Sequence, residues 1–274
     1  MDNTPPETAD RPLSFLAAAA WTLLVAVLLG VMIGIIDGVR PGALIDVVTV
    51  ATCKLLAYSV VLFALLRVHE PDTSIRKVLA LRRPPAIMVL LALFVGAGIS
   101  PGAMWLDGLF AKRFPASPQD LEAMERIFTT PTLGKKLALV LAVVVVMPIC
   151  DELFFRGALF TPLKKGRRAE TVILAVAAYD TLLAGAPARE LFSMLATALA
   201  LSWIRAVSGS VLPSLAARMA FFAVQVLPLV LLGSDKIPGG IALGGLGLAV
   251  ASLAGIAAVG KRSARVLDAR LQDG

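Results

Sequence analysis

Charge is scarce in this sequence. Asp, Glu, Lys and Arg make up 16% of its 274 residues against 58% hydrophobic ones, and mean hydropathy is +0.85. A soluble chain is about a quarter charged, and this few charges cannot cover a soluble surface of this size. Disorder is excluded by the same numbers, because disordered chains are charged and poor in large apolar residues. Histidine is nearly missing, with His69 alone in the whole chain, and cysteine is down to Cys53 and Cys150. Both thiols fall inside apolar runs, where they act as small hydrophobes and build no disulfide framework. Aromatics reach only 6%. No basic stretch interleaved with them exists to receive bases, so the net charge of +7 does not point to nucleic acid.

What the chain does have is long apolar runs. Crossing about 30 Å of hydrocarbon takes roughly 20 residues of helix. Ser14–Ile36, Ala86–Leu106 and Gly239–Gly260 meet this without a charge. Leu44–Leu66 (with Asp46 and Lys54), Leu137–Leu163, Thr171–Ala186 and Val211–Leu232 meet it only by accepting polar residues. Leu191–Ile204 is short, with Glu190 and Arg205 at its two interfaces. The expectation is an all-α polytopic membrane bundle of about eight helices: a polar tail at 1–13, a membrane domain at 14–260, and a basic tail at 261–274. The larger share of the 26 basic residues lies on the side of the N-terminus, which places both termini in the cytoplasm by the positive-inside rule. Small size and the lack of a targeting peptide suit a bacterial inner membrane, with membrane lipids as the general partner.

Two local features complete the outline. Ser117-Pro118-Gln119-Asp120 reads as a helix start. Met124, Ile127 and Phe128 give that helix an apolar stripe for the outer interface. Gly240, Gly244 and Gly247 in the last run predict close helix packing.

The chemistry-bearing residues are those that do not belong in lipid. An ionisable side chain there costs roughly 2.5–3.5 kcal/mol on insertion scales. Asp151, Glu152, Arg156, Asp180 and Arg218 must therefore pair, and such residues are functional candidates. Glu152 and Arg156 stand i,i+4 with the acid first, the favourable order for an intrahelical ion pair. Asp151, about 100° around the helix, faces another neighbour. Asp46 and Lys54, about two turns apart, share a face of the second span. His69 reads as a solvated loop residue.

Two stretches carry a resemblance. Pro148-Ile149-Cys150-Asp151-Glu152-Leu153-Phe154-Phe155-Arg156-Gly157 resembles the first signature, Glu-Glu-x-x-x-Arg, of the CPBP family (CAAX-protease and bacteriocin-processing, or Abi) of intramembrane endopeptidases. Ser208-Gly209-Ser210-Val211-Leu212-Pro213-Ser214 resembles the lead-in to that family's last signature, His-x-x-x-Asn or Asp. The likeness covers about 137–232. It implies glutamates and two histidines from neighbouring helices that hold a metal ion or activate a water directly, for attack on a peptide bond near the membrane face.

This chain departs from that pattern. The resemblance puts the first family histidine at Asp180 or Tyr179, the second at Arg218, and the Asn or Asp at Phe222; Asp151 replaces the first glutamate. Arg is no metal ligand, and carboxylates without imidazole make a weak transition-metal site, so no metal and no other cofactor is expected. The five charges leave one net negative. An Asp180–Arg218 salt bridge across two helices is expected to fill the former cavity, with the double charge swap restoring what either reversal loses. Three functions follow. The first is a pseudo-protease that binds a membrane-embedded peptide, lipidated tail or protein partner. The second is a peptidase of altered mechanism, using Asp151 or Glu152 as base, an Asp151–Asp180 dyad, or Arg218 as oxyanion donor. The third is a transporter with a polar path, which lacks the duplicated halves of that class.

Overall fold

The computed structural model describes residues 13–128, 132–232 and 239–272. Among them there is no strand, and ten helices stand beside one 3-10 turn at Ala43–Ile45. In chain order they are α1 (Phe15–Val39), α2 (Val47–His69), α3 (Ile75–Val78), α4 (Ala86–Ala111), α5 (Pro118–Phe128), α6 (Leu133–Lys164), α7 (Ala169–Ala184), α8 (Leu191–Ser208), α9 (Val211–Leu232) and α10 (Gly239–Gln272). The protein is an all-α polytopic membrane bundle. Seven helices are long and apolar enough to cross a membrane: α1, α2, α4, α6, α8, α9 and α10.

The eighth expected span is a shorter element. Helix α7 has 16 residues, about 24 Å at 1.5 Å per residue. Gly185, at φ 61°, ends it, in the left-handed region where glycine escapes the Cβ clash. Helix α8 moves the other way. It runs on to Ser208, past the expected Ile204, until Gly209 caps it at φ 66°. The polar tail expected at 1–13 lies, except for Leu13, outside the described residues.

Helix α4 is the packing axis for the C-terminal half. A Cβ built on Gly96 would collide with the Ala217 carbonyl oxygen of α9, and one on Gly98 with that of Gly245 in α10. Backbone approaches this close need glycine on the contact face. The expected packing face of α10 is therefore corrected. A methyl group on Gly240, Gly244 or Gly247 meets nothing within 4 Å, whereas Gly245, Gly255 and Gly260 lie against α4 and α8. Many glycines share the run, but only the register against α4 decides which of them touch.

The other core joins α1, α2, α6 and α7 through Val25, Leu65, Phe154, Phe155, Leu159 and Val176, all essentially inaccessible. Leu79, in the turn after α3, reaches into it and approaches Gly157 of the first signature. The α5 start forms as expected. Ile127 packs against Leu139, Val226 and Val230, while the side chains of Met124 and Phe128 lie outside the described set.

Candidate functional site

Helix α6 carries the first signature, and it is not a uniform α-helix. Its turns widen to the π form at Leu141–Val146 and Glu152–Leu159, with Met147–Asp151 between them. Pro148 lies in that middle stretch and offers no N–H to the ladder. Wide turns of this kind collect at functional sites. Here the second one turns Glu152, Arg156 and Gly157 into the bundle, where all three are buried.

Helix α9 brings the second component. Gly209 turns the chain out of α8, Ser210 accepts from the Leu212 N–H at 3.2 Å and donates to the Arg82 carbonyl at 2.7 Å, and the Val211 N–H donates to the Ala80 carbonyl. The Gly-Ser stretch of the second signature is thus a turn and an N-cap that starts α9 and aims Arg218 inward.

The five sequence-predicted residues converge. Arg218 Nη1 lies 3.0 Å from Asp180 Oδ2 and 3.1 Å from Glu152 Oε1, and its Nη2 donates to Asp180 Oδ1 at 3.1 Å. A planar guanidinium fits a carboxylate edge in this two-bond manner. Arg156 Nη1 donates to Asp180 Oδ2 as well and lies 3.3 Å from Glu152 Oε1, so the i,i+4 pair forms. Arg156 Nη2 donates to the Ala198 carbonyl of α8 at 2.8 Å. Asp151 sits apart from these bonds, 3.5 Å from Arg218 Nη2. Tyr179 turns away and donates to the Phe15 carbonyl at 2.9 Å; of the two candidates for the first histidine position, Asp180 is the one in the cluster.

Two cations have partners that sequence reasoning did not find. Lys54 of α2 reaches Asp151, with Nζ 2.7 Å from Oδ1 and 2.9 Å from Oδ2. Its expected companion Asp46 is not in the span. It caps α2, accepting from the Val48 N–H and Thr49 Oγ1 and pairing with Arg40 at 3.4 Å. Lys54 turns the cluster's net charge of minus one into zero, and that leftover charge was the signal for a missing cation. Arg205, expected at an interface, is buried, donates from Nε to the Arg156 carbonyl at 2.8 Å and stacks over Phe160. A wide turn leaves carbonyls off the normal ladder, and Arg205 takes one of them. No pattern in the sequence marks it.

His69 is also corrected. It is the last residue of α2, half-buried, and its Nε2 accepts from Trp21 Nε1 at 3.0 Å. It lies in the α1–α2 contact and takes no part in the charge cluster. Cys53 and Cys150 are buried and free.

Beside the Asp180–Arg218 pair lies a cavity of about 40 Å³ between α7, α8 and α9. Thr197, Met194, Phe221 and Phe222 are among its walls, so the position of the family's Asn or Asp is an aromatic wall. Glu152 Oε2 is buried without a hydrogen-bond partner. The residues do not fit a resident metal. The Arg218 guanidinium cannot coordinate a metal, Asp180 is tied up by two guanidinium groups, and among the described residues no three His, Cys, Asp or Glu side chains are placed to share an ion.

A neutral cluster of three acids and three bases is thus held inside a polytopic bundle by four helices. Residues 133–224 match the family described as Type II CAAX prenyl endopeptidase Rce1-like. That segment, about a third of the chain, is similar to the CAAX-protease family, and it contains no histidine. No curated protein and no solved structure matches it.

Proposed function

We propose that this protein is a pseudo-protease of the inner membrane of a bacterium, with both termini cytoplasmic, which holds the apolar end of a membrane-embedded peptide or lipidated tail. One observation carries the reading. Arg218, which the resemblance sets at a family histidine position, is bonded to Asp180 and Glu152, while Lys54 neutralises Asp151. A guanidinium cannot accept a proton, and each carboxylate already has a cation. Little basicity is left to activate water. What the fold retains is the cavity beside that pair. At about 40 Å³ it admits the tip of an apolar chain, entering past Ala184, rather than a peptide backbone.

The test uses the full chain in proteoliposomes with a quenched peptide carrying a lipidated tail. The expected outcome is no cleavage, with retention of the peptide that falls in Ala184→Trp. Cleavage that disappears in Glu152→Gln overturns the reading in favour of a carboxylate-based peptidase. Retention unchanged by Ala184→Trp overturns the cavity as the binding place.

A further inference from the structure

A second cavity lies at the opposite end of α6, away from the charge cluster. It measures about 370 Å³ and is bounded by Arg40 at the end of α1, Asp46 and Val48 at the start of α2, Arg126 of α5, and Lys135 and Leu139 of α6. Its floor is apolar and its rim is cationic. Both α2 and α6 begin here, so two helix N-termini add partial positive charge to the same place. The acids present are already engaged. Asp46 holds Arg40, the Val48 N–H and Thr49, and Glu122 holds Arg126 at 2.6 Å. Lys135, in the first turn of α6, has no carboxylate partner among the described residues. Its charge is the surplus one.

We infer that this cavity binds an anionic phospholipid, with the phosphate against Lys135 and Arg126 and an acyl chain along Val48 and Leu139. The place matches the chemistry. The cavity sits where two spans start, and a ligand there has to be anionic at one end and apolar at the other. A soluble anion satisfies only the rim, and an uncharged acyl chain only the floor. The inference is independent of what the charge cluster does.

The experiment is native mass spectrometry of the full chain from mixed micelles of phosphatidylglycerol and phosphatidylcholine. The expected result is preferential retention of phosphatidylglycerol, falling about fivefold in Lys135→Gln and about 25-fold when Arg126→Gln is added, as for loss of one and then two interfacial cations. Arg126 is 64% exposed and Lys135 is also on the surface, so both variants are expected to melt like the parent, and Lys261→Gln at the far end of the bundle should change nothing. Equal retention of the two lipids by the parent overturns the inference. So does a preference that survives in the double variant, or that Lys261→Gln lowers as much. Displacement of the lipid by glycerol phosphate at equal concentration also overturns it, since the site would then be one for a soluble phosphate.

Discussion

Arg218 grips Asp180 edge-on, Nη1 to Oδ2 at 3.0 Å and Nη2 to Oδ1 at 3.1 Å, from a helix thirty-eight positions further along the chain. The pair does not stand alone. Asp180 also takes Arg156, and Arg218 also takes Glu152. Each partner therefore has a second opposite charge behind it.

That arrangement changes the expected result of a charge swap. Asp180→Arg or Arg218→Asp alone should destabilise by about 3–5 kcal/mol, because each leaves buried charges uncompensated. An isolated bridge would recover in the double variant, as the sequence alone suggests. Here the guanidinium moved onto α7 would face Arg156, and the carboxylate moved onto α9 would face Glu152 and Asp151. The double variant should stay well below the parent in thermal melts in detergent. Full recovery would mean that the pair acts independently of its neighbours.

Lys54→Met should lower stability by about 3 kcal/mol, since the one cation left to Asp151 among the described residues would be Arg218, at 3.5 Å. Adding Asp151→Asn removes the unpaired charge and should recover most of that loss. A double-mutant cycle read from melting checks it, and additive losses would show that Lys54 and Asp151 do not interact.

Arg205→Lys keeps the charge but not the geometry. A lysine cannot reach both the Arg156 carbonyl and Thr161 Oγ1, which Arg205 holds at 2.8 and 3.1 Å. A loss of about 1.5–3 kcal/mol is expected, the usual worth of a bond from a charged donor. Hydrogen exchange should rise across 152–159. Unchanged protection there would show that the wide turn needs no clamp.

Glycine substitutions separate packing from propensity. Gly96→Ala should cost about 1–3 kcal/mol by forcing α4 and α9 apart, because its methyl would meet the Ala217 carbonyl. Gly244→Ala meets open space and should be neutral or raise stability by its better helix propensity, up to about 1 kcal/mol. Equal effects at the two sites would contradict the register of α4 against its neighbours.

Much of this molecule is legible in one dimension. An apolar run of twenty residues can only lie in lipid or deep in a core, so the spans follow from local composition. The i,i+4 spacing of Glu152 and Arg156 fixes their pairing through helix geometry alone. Asp180 and Arg218 were legible as candidate site residues because charge is expensive in hydrocarbon. The remainder was decided in three dimensions. Lys54 and Asp151 are ninety-seven positions apart, and no periodicity links them. Asp46, eight positions away on the same stretch, is the nearer partner by spacing, but the end of the helix takes it as a cap. Which glycines of α10 touch α4, and where Arg205 points, depend on rotation and register between helices. Local sequence determines that a helix forms and how it is patterned. Only packing fixes its rotation, because contacts with neighbours are what distinguish one orientation from the next.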